Sequence, residues 1–208
     1  MPDLHPSVSR LVLGPLQTNC YFITCPETGE SLVIDPADDA ERIAGAVKGS
    51  GGTIRQILLT HVHPDHIGGL LGLRDRTGAR LMVHQLDVQL LQSQGGFFGV
   101  RPADVAKMAP DQQLQGGEEI TVGHLTGSII HTPGHTPGGI TLRMGNLLFT
   151  GDTLFAQGVG RVDLPGGSLD ALMNSIRGLF TLPDDCVVYP GHGPSSTIGT
   201  EKRDNPYV

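Results

Sequence analysis

The chain has 208 residues, with 14 Lys+Arg against 21 Asp+Glu and a formal net charge of −7. That length suits one good-sized domain, the 38% hydrophobic content supplies a core, and the acidic balance without a Lys/Arg run argues against nucleic acid as a partner. No apolar stretch reaches the ~20 residues that span a bilayer, and Met1 to Arg10 has neither the basic start nor the apolar block of a signal peptide, so a cytoplasmic protein with no membrane partner is expected.

In chain order, Val8 to Leu13, Cys20 to Thr24, Leu32 to Ile34 and Ile54 to Leu59 read as strands, with a helix over Asp39 to Lys48 whose Ile43 and Val47 recur at helical spacing. A helix is expected over Ile67 to Arg76, a strand over Leu81 to Val83 and a short helix over Asp87 to Gln92. The stretch Ser93 to Gly117 is irregular, and its Phe97 and Phe98 suit either a lid or subunit contact or a loop packed on the body. The second half repeats the plan, with strands over Glu119 to Val122, Leu125 to His131, Gly139 to Met144 and Leu147 to Phe149, a helix over Leu169 to Phe180 and a last strand over Cys186 to Tyr189. Each half thus carries strands and helices that must cover apolar faces in layers, so two sheets packed face to face with helices outside are predicted. Cys20, Cys25 and Cys186 lack paired spacing and suit reduced thiols.

The strongest chemical signal is Thr60-His61-Val62-His63-Pro64-Asp65-His66, directly after an apolar run. Pro64 disfavours helical geometry at His63, which puts three imidazoles and a carboxylate on a turn leaving a strand. His135, Asp152 and His192 stand at matching positions, each after a strand and a Gly, where the backbone turns sharply and a side chain points into a common mouth. Imidazole plus carboxylate with no thiolate suits Zn²⁺, Fe²⁺ or Mn²⁺ and leaves open positions for water. Asp35, ending a strand, is read either as orienting a metal-ligating imidazole or as capping the next helix. Arg161 suits a substrate carboxylate or a bracing pair with Asp163. His84 is read as structural or helix-starting, and His5, His124 and His131 as structural or exposed.

With these motifs the chain resembles the metallo-β-lactamase superfamily over nearly its whole length. Its Gly-Pro-Leu-Gln-Thr-Asn-Cys, Gly-Val-Gly-Arg-Val-Asp-Leu-Pro-Gly-Gly and terminal Asp-Asn-Pro-Tyr segments resemble the short glyoxalase II-like proteins. The resemblance implies an α/β four-layer αββα sandwich, with residues 1–208 as a single domain and no C-terminal helical domain. It implies that His61, His63 and His135 hold one divalent metal, that Asp65, His66 and His192 hold a second, and that Asp152 bridges them. Asp65 and Asp152 are then the catalytic carboxylates. The activity it implies is hydrolysis of a small-molecule thioester of the hydroxyacylglutathione type by a metal-bound hydroxide, most naturally on two Zn²⁺ ions. The related persulfide dioxygenases offer an alternative, in which His61, His135 and Asp152 form a two-His, one-carboxylate iron site and the substrate is thiol-derived. A Tyr three residues after the bridging Asp would suggest a lactone hydrolase, and that position is Phe155.

Overall fold

Alternation of apolar side chains along the strands sends successive residues to opposite faces of a sheet, and this chain buries both faces. The structure is a computed structural model that describes residues 6–93 and 106–208. Among them β1 (Ser7–Leu13), β2 (Thr18–Thr24), β3 (Glu30–Ile34), β4 (Thr53–Leu58), β5 (Arg80–His84) and β6 (Gln112–Leu114) form one sheet in chain order. The second sheet runs in the order β14 (Ser196–Thr197), β13 (Val187–Pro190), β10 (Leu147–Gly151), β9 (Ile140–Met144), β8 (Leu125–His131) and β7 (Glu119–Val122). A small ribbon pairs β11 (Leu154–Phe155) with β12 (Gly158–Val159).

The faces sort cleanly. Tyr21, Ile23, Leu32, Ile34, Leu58 and Met82 of the first sheet pack between the sheets against Ile129, Leu142 and Phe149 of the second. Their chain neighbours Cys20, Phe22, Val33, Ile57 and Leu81 point the other way, onto Ile43 and Val47 of α1 (Ala40–Gly49) and Leu70 and Leu73 of α3 (Leu70–Thr77). On the far side, Leu148 and Val188 meet Leu172, Ile176 and Leu179 of α5 (Leu169–Leu179) and Ile198 of α6 (Ile198–Asp204). This gives the predicted four-layer αββα order. Cys20, Cys25 and Cys186 are buried free thiols.

Several local expectations change. The helix expected over Ile67 to Arg76 is broken into α2 (Pro64–Ile67) and α3, because Pro64 starts a helix one turn early and Gly68-Gly69 interrupts it. The helix expected from Asp87 becomes a 3₁₀ turn over Gln85–Asp87 followed by α4 (Val88–Ser93). In the stretch expected to be irregular, Gln112–Leu114 forms the edge strand β6, pairing in parallel with β5. Phe97 and Phe98, on which the lid or packed-loop reading rested, lie outside the described residues, as does His5. Among the described residues no helix is long and apolar enough to cross a membrane.

Candidate metal centre

Four strand ends meet at one edge of the sandwich. The apolar run Ile57 to Leu59 carries β4 to Thr60, whose carbonyl accepts from Ile140 N–H (2.9 Å) and so ties the end of the first sheet to the start of β9. His61 follows, and His63 is held extended (φ −65°, ψ 151°) as the residue preceding α2, with Pro64 in its first turn. Asp65 and His66 are then helical. The loop from Thr132 to Gly139 after β8 supplies His135, the end of β10 supplies Asp152, and the end of β13 supplies His192. The last two are brought together because Gly191 N–H donates to Gly151 C=O (2.8 Å) and Asn19 N–H to Gly191 C=O (2.7 Å). A side chain at position 191 would collide with Asp152 Oδ1 and His66 Cε1, so only glycine admits this approach.

The outward-facing nitrogens fix how the rings present themselves. His66 Nδ1–H donates to Asp35 (2.9 Å), His135 Nδ1–H to the Arg161 carbonyl (2.7 Å), and His192 Nδ1–H to the Leu16 carbonyl (3.1 Å). His61 Nδ1 lies 3.1 Å from Thr60 Oγ1, whose own proton goes to Asp35 (2.6 Å). Each Nδ1 is thereby occupied, which turns each Nε2 toward the shared mouth. There His66, His135 and His192 Nε2 lie 3.4, 3.5 and 3.6 Å from Asp152 carboxylate oxygens. His192 and His66 Nε2 also lie 3.2 and 3.5 Å from Asp65 Oδ2, and His135 Nε2 accepts from His63 Nδ1–H (2.7 Å).

This arrangement fits metal ions. His61 Nε2, His66 Nε2 and Asp152 Oδ1 are buried with no hydrogen-bond partner, a desolvation cost that bound cations would offset. His61, His63 and His135 bring donor atoms within 4.8 Å of one another, as do Asp65, His66 and His192. These are two clusters suited to two divalent cations, with Asp152 between them. The electrostatics differ across the pair. Burial, reinforced by the neighbouring imidazoles, pushes His61 well below its ordinary pKa and His63 down to about 4, so both offer neutral nitrogens. Burial would also lower His66, but Asp152 and Asp35 outweigh it and raise its pKa, while the Asp65 hydrogen bond raises His192. A proton there is the small cation that the carboxylates already favour.

All seven predicted ligand residues therefore converge. Asp35 does not cap α1, whose N-cap is Asp39; its carboxylate holds Thr60 N–H (2.8 Å), the Thr60 hydroxyl and His66. The exposed Arg161 guanidinium forms a two-pronged pair with Asp163 (2.7 and 2.6 Å), while its backbone carbonyl orients His135. His84 caps the 3₁₀ turn, His131 stacks on it, and His124 pairs with Glu27 at the surface. Sequence reading missed Thr18, which donates to Asp65 Oδ2 (3.0 Å), and the role of Thr60. Their only local signal is that Thr60 abuts His61.

Residues 13–192 match the profile of the Metallo-beta-lactamase superfamily. The chain belongs to this superfamily. Among its members, this metallo-β-lactamase-fold chain is 36% identical over 210 residues to "Hydroxyacylglutathione hydrolase GloC" of Haemophilus influenzae, covering 97% of this chain and 98% of that one. The BLEG-1 B3 metallo-beta-lactamase structure superposes with a TM-score of 0.86 at 35% identity, covering 97% and 99% of the two chains. ETHE1 from Myxococcus xanthus superposes at 0.83 with 32% identity (96% and 83%), and TTHA1623 in a di-iron-bound form at 0.82 with 34% (96% and 100%).

Proposed function

We propose that this chain is a two-metal hydrolase of thioesters, of the hydroxyacylglutathione hydrolase type. The observation that carries it is the set of buried, unpartnered Nε2 and carboxylate atoms at one mouth, together with near full-length similarity to a relative bearing that name. His61, His63 and His135 would hold one ion, Asp65, His66 and His192 the other, and Asp152 both; Zn²⁺ suits the donors, with Fe²⁺ or Mn²⁺ as substitutes. Two such cations supply Lewis acidity toward an acyl oxygen and a water whose pKa falls to about 7.

The protein's own part is to hold and orient. Asp35, the Arg161 carbonyl and the Leu16 carbonyl each fix one imidazole from behind, so the donor atoms are set before substrate arrives. Asp65 and Asp152 would offset half of the charge of two divalent cations, and Thr18 fixes the Asp65 oxygen that faces His192. A thiol leaving group has a pKa near ~8.5, so its departure requires no protein acid. Arg161 would meet a substrate carboxylate only by exchanging its exposed two-pronged pair with Asp163.

A second reading, an iron-dependent persulfide dioxygenase, takes His61, His135 and Asp152 as a two-His, one-carboxylate set; similarity to a protein seen in a di-iron-bound form supports iron as the metal. Metal analysis of the native protein, with assays of thioester hydrolysis and of oxygen uptake on glutathione persulfide, separates the two. The Zn²⁺ enzyme is expected to cleave glutathione thioesters, with the rate following metal content. No cleavage, with iron-dependent oxygen uptake, would transfer the assignment to the dioxygenase.

A further inference from the structure

Asp87 is a buried carboxylate outside the metal centre, fully shielded from solvent at the end of the 3₁₀ turn after β5. Its two oxygens reach across from the first sheet to the loop of the second that bears His135. Oδ2 accepts from the Thr136 hydroxyl (2.8 Å) and Oδ1 from Gly138 N–H (2.7 Å). The carbonyl between them, on Pro137, accepts from His131 Nε2–H (2.9 Å). Every polar group offered by the side chain of Thr136, the carbonyl of Pro137 and the amide of Gly138 toward this side is thus taken. The approach is close by design of the sequence: a Cβ on Gly138 would lie 2.6 Å from the Asp87 carboxyl carbon.

The turn that carries Asp87 is itself fixed. His84 Nδ1 accepts from Leu86 N–H (3.3 Å), its Nε2–H donates to the Gln115 carbonyl (3.2 Å), and its ring stacks on His131 with centroids 4.1 Å apart. His135 therefore sits between two anchors, the Arg161 carbonyl on its own Nδ1 and Asp87 on the residue that follows it. Burial pushes the Asp87 carboxyl above its ordinary pKa, a cost of keeping an acid where an apolar residue would fill space with less penalty.

We infer that Asp87 is a positioning residue for the His61/His63/His135 metal site: it acts through Thr136 and Gly138 to hold His135 Nε2 at the distance the other two imidazoles require. The inference rests on the two-metal reading above. A ligand held only by its own flexible loop must be ordered when the cation binds, and a carboxylate that orders it beforehand removes that cost.

The test is a Co²⁺ titration of the full chain, followed by visible absorption and by competition with a chelator, so that the two sites are read separately. Asp87→Ala is expected to weaken the His61/His63/His135 site about tenfold and leave the Asp65/His66/His192 site unchanged. Asp87→Asn should restore most of the loss, because an amide oxygen still accepts from Gly138 N–H and its NH₂ still meets the Thr136 hydroxyl oxygen. If Asp87→Ala does not fold, Thr136→Val, which removes one of the two bonds, decides on the same criterion. Wild-type affinity at both sites in the folded variant, even with a lowered Tm, would overturn the inference and leave Asp87 a purely structural acid. A wild-type protein that takes up fewer than two equivalents, or a His135→Ala variant that keeps both, would instead overturn the two-metal reading and the inference with it.

Discussion

Asp152 faces three imidazoles that arrive from three different strand ends, whereas Asp65 faces only His66 and His192. Removing Asp152 leaves both clusters without a shared anion; removing Asp65 strips one. Asp152→Ala is therefore expected to lose more metal and more activity than Asp65→Ala, with metal content per chain as the check, and equal contents would contradict a bridging position. The two clusters should also differ in pH dependence. His61 and His63, depressed by burial, have no proton to give up near neutrality, while His66 and His192, raised by their carboxylates, must release one before they can ligate. A raised imidazole pKa makes cation binding weaken as pH falls, so the Asp65/His66/His192 site should lose affinity on acidification more steeply than a site in which His61 and His63 are already neutral. Calorimetry in buffers of different ionisation enthalpy would register proton release chiefly on filling the former.

At the scale of elements, β4 and β10, which lead to the first ligand turn and to Asp152, are buried on both faces at their ligand ends and backed by helices. In α5, Leu172, Ile176 and Leu179 fall on one face, and Ser168 caps the first turn through Ala171 N–H. Ile176→Ala should cost about 2–5 kcal/mol, read as a shift in the urea midpoint, without altering metal stoichiometry, because the residue lies in the outer layer behind β10 and β13. The same features explain what could be read in advance. Runs such as Leu32 to Ile34 and Ile54 to Leu59 declare themselves by residue type, and the ligand turns by their spacing. The pieces that escaped are short and depend on distant partners. Strand β6 exists through β5, the ribbon β11–β12 follows from the Thr153 turn, and α6 is fixed by Glu201, which is buried against Gln157 N–H and Asn205. Asp35 illustrates the limit within the site: its sequence position allowed a cap or a brace, and only the return of the chain to Thr60 and His66 decides between them.

For the whole molecule, the ligands divide by sheet. His61, His63, Asp65 and His66 follow the first sheet's β4, and His135, Asp152 and His192 follow strands of the second. Bound cations would join the two layers at their edge, in addition to the apolar packing of Tyr21, Phe149 and Leu142 between them. Chelation should accordingly lower Tm, and re-addition of metal should restore it; at free metal about 1,000 times Kd the gain is about 4 kcal/mol. An unchanged Tm on stripping both ions would show that the sheets hold their relation without them.

The turn joining the two sheets, in which Gln115 and Gly116 N–H groups donate to the Glu118 carboxylate, is the one covalent crossing between a segment with four of the ligands and a segment with three. Cut there, each piece would keep its own helices but expose the face that now meets its partner, and neither would own a complete site. The cation would then act as the joint of a two-piece assembly, so that metal uptake becomes a direct measure of whether the halves have found each other in register.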